Sequence, residues 1–92
     1  MSLSFVALDF ETANARRGSA CSLGMTKVIN GQITAQKYEI FRPPTGFEDF
    51  EPRNISIHGI RPEQVAGKPQ FGDLWSEFEE FRERLPILQF SP

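Results

Sequence analysis

Two acidic residues, Asp9 and Glu11, lie two positions apart at the end of an almost wholly apolar segment, Phe5 to Phe10. Such a short apolar run is typical of a buried strand, and side chains at i and i+2 of a strand point to the same face. Two adjacent carboxylates repel each other, and a cation beside them relieves that repulsion. Oxygen ligands suit Mg²⁺ or Mn²⁺, and pairs of such ions hold the attacking and leaving oxygens of a phosphodiester displacement. The pair therefore predicts a divalent metal site.

Taken alone, an acidic pair of this spacing more often points into water than binds a metal. The apolar segment around Asp9 changes that balance, because an unpaired charge inside a buried strand is costly. We therefore expect Asp9 to belong to a strand buried on both faces and to need a cation as its partner.

The composition is that of a mildly acidic globular chain of 92 residues with net charge −2. It has no basic stripe, so nucleic-acid binding would need another positive source, such as divalent cations. Arg16 and Arg17 could contact phosphates, although solvated loop cations are the more ordinary interpretation. Cys21 is the only cysteine, which excludes an intrachain disulfide and favours a reducing compartment. The expected compartment is therefore the reducing cytoplasm. Because no apolar run approaches the roughly 18–20 residues that span a bilayer, we expect no membrane partner.

An Asn30-Gly31 pair separates two strand-like segments, Ala20 to Ile29 and Gln32 to Phe41. This pattern predicts a hairpin with a type I′ turn, in which both central residues adopt positive φ. A two-residue turn would place Leu23 opposite Tyr38. Four apolar residues would then share the core face: Cys21, Leu23, Tyr38 and Ile40.

Large apolar residues recur every three or four positions from Phe71 to Leu85, which predicts an amphipathic helix that ends before Pro86. Glu80 and Arg84 would form an ion pair on its outer face. The short apolar segment Ile87 to Phe90 predicts a fourth strand. The helix would then connect parallel strands by a right-handed crossover. The predicted fold is an α/β mixed sheet in the order 3-2-1-4, with the helix packed on one face.

A shorter helical turn is predicted between the hairpin and that helix, over Asn54 to Ile60, with Asn54 as its N-cap. Pro62 suits the first position of a second turn. The only histidine, His58, lies in the first of these turns. Histidine can act as a general base near neutral pH.

Several segments of the chain resemble, in the same order, the DnaQ-like (DEDD) 3′–5′ exonuclease superfamily, which includes proofreading subunits of DNA polymerases. The resemblance extends to Phe71 and Trp75 on the predicted helix, and so covers nearly the whole chain. It implies a ribonuclease H-like fold, in agreement with the predicted mixed sheet. The segments that carry it are Phe5 to Thr12, Ser19 to Gly24, Val28 to Gly31, Phe41 to Pro44 and Asn54 to Ile60.

The resemblance implies that Asp9 and Glu11 are the first two metal ligands of a site for two Mg²⁺ or Mn²⁺ ions. Asp9 would contact both ions, and Glu11 one ion or the terminal 3′ hydroxyl. The implied reaction is hydrolysis of the terminal phosphodiester of DNA at a single-stranded or frayed 3′ end, with RNA a less favoured substrate. A DNA polymerase subunit is an implied partner.

Four further residues match substrate-binding positions of the family. The main chain at Phe10 and Thr12 is expected near the terminal nucleotide, and Ile57 and His58 are expected near the 3′ base. The family's catalytic histidine belongs to a later motif. The resemblance therefore assigns His58 a nucleotide contact rather than a catalytic role. A structural histidine at a turn and a histidine that contacts a nucleotide are equally ordinary interpretations of this position.

The family's second acidic motif, His-Asn-x-x-Phe-Asp, follows the fourth strand and is not found in this sequence. We therefore expect residues 1–92 to be the N-terminal portion of a single exonuclease domain, with weak metal affinity and little or no hydrolysis alone. The alternative is a non-catalytic module of the same fold that binds a nucleotide or a protein.

Overall fold

The computed structural model describes residues 3–90, so the two residues at each end of the predicted domain lie outside it. Four strands form one mixed sheet in the order β3-β2-β1-β4. β2 is antiparallel to both of its neighbours, and β4 is parallel to β1. The predicted strand order is confirmed. The strands are β1 (Phe5–Thr12), β2 (Ala20–Ile29), β3 (Gln32–Ile40) and β4 (Ile87–Phe90).

Short helices fill the connection between β3 and β4. They are α1 (Pro52–His58), α2 (Pro62–Val65), a 3₁₀ turn (Phe71–Leu74) and α3 (Trp75–Arg82). None of the helices within residues 3–90 is both long and apolar enough to cross a bilayer.

The long helix predicted after these turns is divided and shorter than expected. The 3₁₀ turn leads into α3, which ends at Arg82 because Glu83 and Arg84 adopt left-handed φ values of 52° and 64°. These two residues turn the chain back towards the sheet before the proline that was expected to end the helix. The predicted pair of Glu80 with Arg84 is therefore wrong, and Glu79 instead pairs with Arg82 at 2.9 Å.

The hairpin turn is confirmed, since Asn30 and Gly31 have φ values of 50° and 78°. A bulge farther along the hairpin then shifts the register by one residue. Leu23 lies opposite Glu39, and Tyr38 lies opposite Gly24. A one-residue shift moves a side chain to the other face. Tyr38 is accordingly 61% exposed rather than part of the core.

The main core lies between the sheet and α3. On β1, Val6 is fully buried, and Leu8 and Phe10 pack against the same cluster. Asp9 points to the other face and is exposed, so the expectation that β1 is buried on both faces is wrong. The reason is that the core cluster contacts only the face that carries Val6. The other buried members of that cluster are Leu23, Met25, Phe41 and Phe78.

Candidate functional site

Asp9 and Glu11 lie on one face of β1, opposite the face that packs against α3. The pairing of β1 with β2 runs without a break from Phe5 to Glu11, so side chains alternate regularly along this stretch. Residues two apart on a strand are separated by ~6.7 Å along the chain, which allows their carboxylates to approach a common cation. β1 continues to Thr12, two residues beyond its predicted end, so both acids lie inside the strand.

The donor set suits a hard divalent cation but supplies only part of its coordination. Asp9 is exposed and Glu11 is half-buried, and no ion pair within residues 3–90 involves either carboxylate. Two carboxylates on one face without a neutralising lysine or arginine are oxygen ligands of the kind that Mg²⁺ and Mn²⁺ prefer. The described part of the chain contains no cluster of three or more His, Cys, Asp or Glu side chains that could hold a metal ion.

The exposure of Asp9 removes one part of the sequence argument. A solvated carboxylate has no large desolvation cost, so burial does not force Asp9 to find a cation. A metal site is supported instead by the shared face of Asp9 and Glu11 and by the absence, among residues 3–90, of a cationic side chain paired with either carboxylate.

The side chains beside Glu11 are buried. Ser22 lies opposite Glu11 across the β1–β2 ladder, and its hydroxyl has no hydrogen-bond partner within the described residues. Cys21 is fully buried, as expected for a residue that fills the core. Burial, and to a lesser extent the charge of Glu11, raises the pKa of the Cys21 thiol to about 11. The thiol is therefore protonated near neutral pH.

Both ring nitrogens of His58 are engaged with the main chain. Nδ1 accepts a hydrogen bond from the amide of Ile60 at 2.9 Å. The proton of the neutral ring therefore lies on Nε2, which donates to the carbonyl oxygen of Thr12 at 2.9 Å. These contacts favour a structural role for His58 over a role as general base.

Asn54 holds the same carbonyl, although the sequence predicted it as a helix cap. α1 begins at Pro52 with Glu51 as its N-cap, and the Asn54 amide donates to the carbonyl oxygen of Thr12 at 3.1 Å. Asn54 and His58 are four residues apart, and helical side chains at that spacing share one face. That spacing is the signal by which the sequence could have revealed the attachment of α1 to the end of β1.

The remaining predicted contact residues are divided between two surfaces. Ile57 is 70% exposed on α1, beside the histidine that reaches β1. The ring of Phe10 points away from the acids and packs edge-on against Phe71, with a centroid distance of 6.0 Å. The structure therefore places Thr12 and His58 in contact, leaves Ile57 open, and directs the Phe10 side chain into the core. Nucleotide contacts by these residues stay a prediction.

Comparison with known proteins gives a family match over most of the chain. A family model described as an exonuclease (RNase_T) matches residues 6–90. The chain is 26% identical over 90 residues to DNA polymerase III subunit epsilon of Pasteurella multocida, covering 90% of this chain and 35% of that protein. It is 28% identical over 83 residues to the same subunit of Salmonella typhimurium, and this match covers 83% of this chain and 33% of that protein. The chain thus spans about a third of the length of these curated relatives.

A solved structure supports the fold independently. The structure titled Exonuclease X in complex with 5′ overhanging duplex DNA superposes with a TM-score of 0.69 and 21% sequence identity. The match covers 92% of this chain and 54% of that protein. The four-stranded mixed sheet with its helices is therefore the fold of a known nuclease.

Proposed function

Because this chain belongs to the exonuclease family whose model it matches over residues 6–90, we propose that it carries the first acidic motif of a metal-dependent 3′–5′ exonuclease. The single observation that carries the proposal is the placement of Asp9 and Glu11 on one face of β1, with no paired cation within the described residues. The reaction is hydrolysis of the terminal phosphodiester of a nucleic-acid strand.

In this proposal Asp9 and Glu11 would hold Mg²⁺ or Mn²⁺. Bound divalent ions supply charge stabilisation to the reacting phosphoryl group. Because two carboxylates on one strand are an incomplete ligand set, the affinity of these 92 residues for metal is weak.

The end of β1 and the end of α1 form the surface on which the terminal nucleotide is positioned. Thr12 follows the acidic pair directly, and its carbonyl is fixed by His58 and Asn54. The exposed Ile57 side chain stands beside that junction and offers an apolar surface to the 3′ base. His58 acts in this scheme through the main chain of Thr12 and holds no proton of the reaction.

DNA is the substrate that the comparisons favour. The curated relatives are subunits of a DNA polymerase, and Exonuclease X was solved with duplex DNA. We therefore propose a single-stranded or frayed 3′ end of DNA as the substrate and a DNA polymerase subunit as a partner. The buried free thiol of Cys21 fits a reducing compartment, and we place the activity in the cytoplasm.

Metal binding tests the acidic pair directly. Mn²⁺ is titrated into the protein and free Mn²⁺ is followed by electron paramagnetic resonance. The double variant Asp9→Asn with Glu11→Gln is expected to lose binding. The control is the double variant Glu77→Gln with Glu80→Gln, which also removes two negative charges, but from α3. This control is expected to bind Mn²⁺ like the unaltered protein. Equal loss in both double variants would reject a specific site at Asp9 and Glu11.

Hydrolysis of 5′-labelled single-stranded DNA is measured in the presence of Mn²⁺. The assay is carried out both with residues 1–92 and with the longest protein product of the gene. Products shortened one nucleotide at a time from the 3′ end are expected, and an RNA strand of the same sequence is expected to be cut more slowly. Activity should fall at least about 100-fold in Asp9→Asn, since a metal ligand contributes several kcal/mol to the transition state. Undiminished activity in Asp9→Asn and in the single variant Glu11→Gln would refute the assignment.

A non-catalytic nucleotide-binding role is the second candidate. It is favoured by the lack of a third metal ligand near the acidic pair within residues 3–90. In that case oligonucleotides bind with equal affinity in Mn²⁺ and in EDTA, and no product of the gene shortens them.

A further inference from the structure

The two arginines of the loop after β1 are held in different ways. The Arg16 guanidinium donates to the carbonyl oxygen of Gly46 at 2.9 Å and lies over the ring of Phe47, with its central carbon 4.5 Å from the centroid. Gly18 packs against the same ring, where an added Cβ would come within 3.0 Å of Cε2. The residues on both sides of Arg17 are thus fixed by Phe47. Arg16 is a structural residue of the loop.

Arg17 is exposed and forms neither an ion pair nor a side-chain hydrogen bond within residues 3–90. It lines a cavity of about 610 Å³ at the carboxyl end of β1. That volume falls in the range of ~300–1,000 Å³ that is typical of small-molecule sites. The fixed loop therefore presents a positive charge to an open cavity.

The cavity combines an aromatic wall with a few polar groups. The partly exposed edges of Phe10 and Phe71 supply the wall, the fully buried Phe41 lies behind them, and Thr12 and Gln89 supply uncharged polar groups. None of the residues that line the cavity is acidic, although the chain as a whole carries a net charge of −2. An aromatic surface next to one unpaired guanidinium is complementary to a ligand that is both aromatic and anionic.

We propose that this cavity binds an inner nucleotide of a single-stranded nucleic acid, with its base on the aromatic wall and its phosphate on Arg17. Bases stack on aromatic side chains without strong sequence preference, and arginine matches phosphate geometry well. The cavity lies on the α3 face of β1, whereas the acidic pair lies on the other face. Thr12 lines the cavity and directly follows Glu11, so one strand can reach both. The identity of the ligand as a nucleic-acid strand rests on the proposed function.

Binding in the absence of metal tests the cavity separately from catalysis. A dye-labelled oligothymidylate is titrated with the protein in EDTA and followed by fluorescence anisotropy, with unlabelled thymidine monophosphate as competitor. Arg17→Gln is expected to weaken binding roughly tenfold, because it removes a charge-assisted contact. It should also reduce the slope of log affinity against log salt by roughly 0.7. The control Arg84→Gln removes one positive charge beyond the end of α3, outside the cavity, and should leave both values unchanged.

The outcomes distinguish this site from the proposed activity. Equal weakening in Arg17→Gln and Arg84→Gln would mean that only general electrostatics operates, and it overturns the site. Binding unaffected by Arg17→Gln, with hydrolysis still dependent on Asp9, overturns the site and leaves the nuclease proposal intact. Binding that depends on Arg17, without hydrolysis by the longest product of the gene, supports the site and counts against the nuclease. Thymidine monophosphate that competes as well as the oligonucleotide overturns the inference of a polymeric ligand.

Discussion

The imidazole of His58 and the main-chain carbonyl of Thr12 are joined by a hydrogen bond of 2.9 Å. This bond links the last residue of α1 to the residue that follows the acidic pair on β1. Because the other ring nitrogen accepts from Ile60, the same side chain also fixes the turn that leaves α1. One half-buried ring thus connects the geometry of the acidic strand to the helix beside it.

His58→Ala is expected to lower the free energy of unfolding by about 1–3 kcal/mol, because it removes two hydrogen bonds and takes away the acceptor of the Ile60 amide, while Asn54 still donates to the Thr12 carbonyl. His58→Gln should restore part of that loss, since a glutamine amide can donate to the Thr12 carbonyl but cannot also accept from Ile60. Urea denaturation of the three proteins measures the difference. If both variants are as stable as the unaltered protein, the bonds to His58 do not support the fold.

Gly31→Ala is expected to destabilise the protein by about 1 kcal/mol, because Gly31 has a φ of 78° in the hairpin turn. Open space surrounds the position, so the effect would come from the backbone alone. Gly67 also has open space around it but lies outside the positive-φ region, which makes Gly67→Ala the matched control. Thermal denaturation should show a lower midpoint for Gly31→Ala than for Gly67→Ala, and the reverse order would contradict the argument.

The hairpin shows how far the sequence determines this fold. The turn followed from Asn30 and Gly31 because their backbone preferences are local. The register did not follow, because β3 carries few apolar residues and either face could have been buried. In the structure Lys37 lies on the α3 face and approaches Glu77 to 4.0 Å, and Lys27 contacts Glu83 there. These partners are distant in the sequence, so local patterns could not reveal them.

In the candidate site, too, local features could be predicted from the sequence and long-range contacts could not. The shared face of Asp9 and Glu11 is a consequence of strand alternation and could be predicted. The hold of Asn54 on Thr12 and the difference between Arg16 and Arg17 depend on contacts between residues 30 or more positions apart. Such contacts arise only when the segment after β3 packs on the end of the sheet. The four-residue spacing of Asn54 and His58 indicates that they share a helix face, but it does not identify the residue that this face contacts.

Ser22→Ala is expected to stabilise the protein by about 1 kcal/mol, because the Ser22 hydroxyl is buried without a hydrogen-bond partner within the described residues. Ser19 is the matched control, since it is equally buried but its hydroxyl bonds to the main chain of Asn14 and Arg16. Ser19→Ala should therefore destabilise the protein by about 1–3 kcal/mol. Urea denaturation gives both values. A loss of stability in Ser22→Ala would show that the hydroxyl has a partner, for which the nearby Glu11 carboxylate is the natural candidate.

The stability of the protein is expected to fall between about pH 9 and pH 11 because of Cys21. Burial, and secondarily the charge of Glu11, raises the pKa of this thiol from 9.0 to about 11 in the folded protein. In that interval the unfolded chain loses the thiol proton while the folded chain keeps it, so unfolding becomes easier as the pH rises. One pKa unit corresponds to about 1.4 kcal/mol, which limits the decline to at most about 3 kcal/mol. Because other groups titrate in the same range, urea denaturation is measured at several pH values for both the unaltered protein and Cys21→Ala. The variant should show a shallower decline, and parallel curves for the two proteins would exclude Cys21 as its source.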